Sequence, residues 1–120
     1  MHFKELDVYK RSYKLALEIH DLSLTIKPLL QYDLGDQLRR ASRSIPANIA
    51  EGCGRYKSSK DTLNFIRTAL GSNYEVIFNL EFCSDAKVFD AKTVKRLMDE
   101  YEILGRQLTV LAKRIQNNEL

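Results

Sequence analysis

Few residues in this chain carry usable chemistry. Glu51 and Glu75 are carboxylates that adjacent helices could bring together, the minimum for acid–base work. No companion histidine, nucleophile or metal set goes with them, so the pair is weak ground for catalysis and a non-enzymatic protein is expected. His2 and His20 have no acid or cysteine at ligand spacing, and Cys53 and Cys83 lie far apart. No metal and no cofactor is therefore expected, and both cysteines read as small apolar residues. Neither a glycine-rich phosphate loop nor a nucleophile motif occurs. What remains is ionic. Arg39 and Arg43 lie one turn apart, and Arg55, Lys57 and Lys60 follow as a cluster. These five are the candidates for contact with nucleic acid, because clustered cations neutralise phosphates. Tyr56 is the only aromatic beside the cluster for base stacking. Sequence-specific readout has no support.

The basic residues also have a plain structural reading. Residues 31–60 hold six Lys/Arg against three Asp/Glu, and residues 61–90 hold two against five. Adjacent helices or neighbouring subunits could attract through that polarity. The net charge of +3 is compatible with nucleic acid without requiring it.

A second set of polar residues shares one helix face. Arg40, Ser44, Asn48, Glu51 and Arg55 follow at intervals of four, four, three and four. Glu75 is expected to meet them from the next helix. A binding groove is one reading. The preferred one is a structural polar network that fixes helix pairing around Pro46. A proline cannot donate to the carbonyl four residues earlier, so a kink or restart is expected there, with Ser44 as a cap. Asn48 or Ser44 could satisfy the freed Ser42 carbonyl.

Four helical patterns position these residues. The first runs from about Asp7 to Thr25, with one stripe of Val8, Leu15, Ile19, Leu22 and Ile26. A second stripe holds Tyr9, Tyr13, Ala16, Leu17, His20 and Leu24. Pro28 follows as a stop. The second helix begins near Asp33, a candidate N-cap, and runs to about Tyr56; Gly52 and Gly54 either end it or admit another backbone closely. The third starts after Ser58, which forms a capping-box pattern with Asp61. It too has two stripes: Leu63, Ile66, Leu70, Tyr74 and Ile77, then Phe65, Ala69, Val76, Leu80 and Cys83. Gly71 costs this helix about 1 kcal/mol relative to alanine, which close packing against another helix would explain. The fourth runs from about Ala91 to Asn117 with Asp90 as N-cap. Its seam of Val94, Leu97, Tyr101, Leu104, Leu108, Leu111 and Ile115 alternates by three and four.

The fold expected is all-α, an antiparallel up-down-up-down four-helix bundle, with residues 1–120 as a single domain. One stripe per helix fills its core. The second stripes of the first and third helices remain uncovered, which predicts a homo-oligomer. No run of about 18 apolar residues occurs, so no membrane span is expected. The opening M-H-F-K-E-L-D lacks the pattern of a signal peptide, and a cytoplasmic protein is expected.

With those residues in place, the chain resembles the four-helix-bundle proteins encoded in intervening sequences of bacterial 23S ribosomal RNA genes. The resemblance is carried by Q-L-R-R-A-S-R-S-I-P-A-N-I-A-E-G (Gln37 to Gly52), which is long and specific. The opening F-K-E-L-D-V-Y (Phe3 to Tyr9) and G-S-N-Y-E (Gly71 to Glu75) add to it. The segment Q-Y-D-L-G-D-Q departs from the family pattern near Asp33 and Gly35. The resemblance implies a ring-like homopentamer and kinship with the accessory protein of diversity-generating retroelements. That relative binds a reverse transcriptase and contacts nucleic acid. It therefore implies RNA or an RNA-associated protein as a partner besides the chain itself, and it brings no enzymatic activity. The alternative is a purely structural or protein–protein interaction module without nucleic-acid contact.

Overall fold

Asp7–Ser23 forms the first long helix, α1, because its apolar residues return every three or four positions. Val8, Leu15 and Ile19 share its buried face with Ser12 and Ser23. A 3-10 turn, Phe3–Glu5, leads into it, and His2 Nδ1 caps that turn by accepting from the Lys4 N–H at 3.3 Å. The computed structural model describes residues 2–54 and 59–119.

Pro28 opens the next helix and does not close the one before. It stands at the first helical position, where its fixed φ suits the helix and its missing N–H is no loss. One α-turn, Pro28–Leu30, passes into a π-helical segment, Gln31–Gly35, and then into α2, Asp36–Gly54. Helical structure thus begins ahead of the expected start, and Asp33 lies exposed inside the π segment instead of capping α2. The Gln31 side chain explains the corner. Its Nε2 donates to the Ser23 and Ile26 carbonyls at 2.8 and 2.7 Å, which closes the end of α1 onto the start of this helix. The departure from the family pattern falls on this same segment.

α2 runs without a restart through Pro46, which is buried. A proline removes a single backbone hydrogen bond, and the packed Ile45 and Ile49 on either side hold the helix together across it. Ser44 caps nothing there.

α3, Ser59–Asp85, buries Ile66, Ala69, Val76, Leu80 and Cys83. Only Ile66 of the first expected stripe is fully buried, so the second expected stripe is the core face. Tyr74, Phe78 and Phe82, spaced by four, point outward. Asp90 caps α4, Ala91–Gln116. Its Oδ1 accepts from the Thr93 N–H at 2.9 Å, and its Oδ2 from the Thr93 hydroxyl at 2.6 Å. These bonds hold its carboxyl below the usual carboxylate range. The Ser58–Asp61 capping pattern lies partly outside the described residues.

The four helices form an antiparallel up-down-up-down bundle, 45 × 22 × 20 Å. Each helix packs closely on its neighbour in sequence: α1 on α2, α2 on α3, α3 on α4. The return contact of α4 with α1 is looser. Two glycines that face α3 from either side, one on α2 and one on α4, allow the tight pairs. A Cβ on Gly52 would stand 3.0 Å from Phe65 Cβ, and one on Gly105 would stand 3.0 Å from Asn73 Nδ2. No helix among the described residues is long and apolar enough to cross a membrane.

Candidate functional site

The polar face of α2 is built around a hydroxyl pair. Ser44 Oγ and Ser72 Oγ lie 2.8 Å apart across the α2–α3 contact. Asn48 Nδ2 donates to Ser44 Oγ at 3.0 Å and to the Ser44 carbonyl at 2.8 Å. The expected acceptor was the Ser42 carbonyl, but the amide lies one turn below Ser44 and reaches that carbonyl instead. Ser72, unnoticed in the sequence, is therefore the α3 member of the network.

Glu75 does not join it. The Ser44–Ser72 bond fixes the register of the two helices. Glu51 is seven residues from Ser44 toward one end, and Glu75 is three from Ser72 toward the other. At 1.5 Å per residue the two carboxylates are separated by about 15 Å along the bundle. That is too far to act on one substrate atom. Glu75 instead lines a shallow trough of 620 Å³ with Asp33, Gln37, Tyr74, Phe78 and Phe82. Arg40 is largely exposed and approaches Asp36 at 3.9 Å, a surface pair of little energetic weight.

The basic candidates divide. Arg39 is turned inward: its Nη1 donates to Ser23 Oγ at 2.9 Å and to Gln31 Oε1 at 3.0 Å. Ser23 Oγ in turn donates to the His20 carbonyl at 2.7 Å. Arg39 thus bolts α2 to the end of α1, and its guanidinium is committed. Gly35 makes room for this bolt, since a Cβ there would stand 2.8 Å from Gln31 Oε1 and 3.0 Å from Arg39 Nη1. Arg43 is exposed, with its Nε donating to the Arg39 carbonyl at 3.3 Å. Lys60 is exposed in the first turn of α3. Arg55 and Lys57 lie outside the described residues.

One polar pair lies in the core. Asn73, fully buried, donates from Nδ2 to the Tyr101 carbonyl at 2.9 Å. Asn73 Oδ1 and the buried Tyr101 hydroxyl have no hydrogen-bond partner among the described residues. Burial pushes the Tyr101 phenol well above its ordinary range, and the Glu18 carboxylate adds to the shift.

The loose α1–α4 contact is closed by charge. Arg11 meets Glu100 at 2.8 Å and Arg96 meets Glu18 at 3.2 Å, along a groove of 430 Å³ that also holds Lys10 and Lys14. Among the described residues, no group of three or more His, Cys, Asp or Glu is placed to hold a metal. Cys83 is buried and Cys53 half-buried, both as free thiols, and burial pushes both thiols up.

The outer surface carries two apolar stripes. On α1 and at the residue that caps its C-terminus, Tyr13, Leu17 and Leu24 are each about half exposed or more and form one stripe, the α1 stripe. On α3 the stripe is Tyr74, Phe78 and Phe82. Sequence reasoning placed the α1 stripe and missed Phe78 and Phe82, although their spacing of four from Tyr74 was a sufficient signal.

Fold and surface together define a small all-helical bundle that carries two outward apolar stripes. Residues 4–110 match the family described as 23S rRNA-intervening sequence protein, and the chain belongs to that family. Among the solved structures it matches is a protein of unknown function from the S23 ribosomal protein family of Bacteroides thetaiotaomicron. The two are 22% identical, with a TM-score of 0.79, over 88% of this chain and 98% of that one. At that identity the likeness speaks for the fold. No curated protein matches the chain.

Proposed function

We propose that this chain is a non-enzymatic, cytoplasmic scaffold that assembles with copies of itself and presents a helical surface to a macromolecular partner. The observation that carries the reading is the pair of outward apolar stripes on a bundle whose core is already filled. A ring of five is the assembly that the family resemblance suggests. Light scattering of the full chain at micromolar concentration tests self-association; a monodisperse monomer overturns it.

RNA, or a protein associated with RNA, is the partner this reading favours. Its support is the exposed Arg43 and Lys60, together with a family description that refers to 23S rRNA intervening sequences. Repeated around a ring, such cations would form a belt. The alternative, a protein–protein module without nucleic-acid contact, draws support from acids set among the bases: Glu5 and Asp7 beside Lys4, and Asp61 beside Lys60. Titration with single- and double-stranded RNA at low salt separates the two. Binding that falls with salt, and whose salt slope drops by about one in Arg43→Ala or Lys60→Ala, supports RNA. Absence of binding at low salt leaves the protein–protein module.

A further inference from the structure

The two apolar stripes stand in a particular relation. α1 and α3 are diagonal in the bundle and run in the same direction, and each carries its stripe on the side away from the core. A two-fold dimer that buries one stripe against its own copy leaves the other in water. A head-to-tail contact covers both at once.

Their levels also match. Arg11 pairs with Glu100, and Asn73 bonds the carbonyl of the adjacent Tyr101. Arg11 and Asn73 therefore sit at nearly one height on α4, and with them Tyr13 with Tyr74 and Leu17 with Phe78, to within about a turn. Equal levels let neighbouring copies meet without sliding along the bundle axis, which is the condition for a closed ring over a filament.

Gly71 adds a second observation. It is exposed, lies three residues before Tyr74 on the same face, and would have nothing within 4 Å of an added Cβ. Among the described residues nothing in the subunit approaches it, so the close packing that the sequence suggests is left to a contact from outside. Charge agrees in sign at the level of Tyr13 and Tyr74, where Lys10 and Lys14 flank the α1 stripe and Glu75 flanks the α3 stripe; further along the two helices, Asp21 falls opposite Glu81 and Asp85 and opposes the contact there.

We infer that the α1 stripe of one copy, Tyr13, Leu17 and Leu24, docks on the α3 stripe of the next, Tyr74, Phe78 and Phe82, with Gly71 admitting the close approach. The inference rests on the self-association proposed above. The experiment compares the full chain with Leu17→Glu and Phe78→Glu by light scattering, with folding followed by circular dichroism. Each variant keeps one intact stripe and is expected to run alone at the single-chain mass of 13.9 kDa. Mixed in equal amounts, the two are expected to form a dimer of one copy each and nothing larger. Self-association of either variant alone, or no dimer on mixing, overturns this pairing while leaving an oligomeric wild type intact. A monomeric wild type overturns the self-association reading itself. If a glutamate variant misfolds, Leu17→Ser and Phe78→Ser make the same comparison.

Discussion

At the residue scale, chemistry and architecture compete for the same side chains, and burial decides between them. Arg39 and Arg43 look alike in sequence, one turn apart in a basic run. One bridges Ser23 and Gln31, the other stands in water. Arg39→Met should lower stability by about 1–3 kcal/mol, because it leaves the inward-facing Gln31 oxygen without its donor. Arg43→Ala should change stability by less than about 0.5 kcal/mol. Chemical denaturation checks both. Tyr101 makes the opposite kind of prediction. Its hydroxyl is buried without a partner among the described residues, so Tyr101→Phe should leave stability unchanged or raise it by up to about 1 kcal/mol. The raised phenol also sets a pH limit. The folded chain keeps the proton while the unfolded chain releases it near pH 10, so this contribution is complete below that pH and is lost above it. Denaturation midpoints should fall above about pH 10 in the wild type and less so in Tyr101→Phe. None of these roles could be read from spacing. Periodicity says which face a residue occupies, but whether a long side chain folds back, as Gln31 and Arg39 do, depends on acceptors brought in by another helix.

At the scale of the elements, the sequence was most legible where apolar residues repeat and least where a corner is made. α4 follows its seam almost to the residue, and Asp90 caps it as its position suggests. α1 is similarly clear. The start of α2 was misplaced because Pro28 serves equally as the stop of one helix and the first position of the next. Only the tertiary bonds from Gln31 decide between them. In α3 the apolar residues nearly encircle the helix, so periodicity alone could not tell the core face from the outward one. The glycines of α2 and α3 give contrasting predictions. Gly52→Ala should destabilise by about 1–3 kcal/mol, since its Cβ would press on Phe65 and on the Thr62 carbonyl. Gly71→Ala meets nothing among the described residues of its own subunit, so in a dissociated variant such as Phe78→Glu it should add about 1 kcal/mol of helix propensity. Thermal melts of the paired variants test the contrast.

At the scale of the whole molecule, the bundle has three tight helix contacts and one loose one. The loose contact joins the first helix to the last through Arg11–Glu100 and Arg96–Glu18. Salt screens such half-exposed pairs, so raised ionic strength should weaken this seam before the apolar ones. Hydrogen exchange in α1 and α4 should therefore quicken with salt more than exchange in α2 and α3.

The same seam bears on the order of events during synthesis. Three of the four contacts join helices consecutive in the chain, so most of the structure forms from nearby segments, the arrangement that folds fastest. The α1–α2 hairpin, already bolted by Arg39 and Gln31, can form while the last helix is still being made. Closure of α4 against α1 is expected to come last and to be the first contact undone, because it is the sparsest of the four. Arg11→Ala should accordingly leave the folding rate nearly unchanged and speed unfolding, a difference that stopped-flow kinetics would resolve.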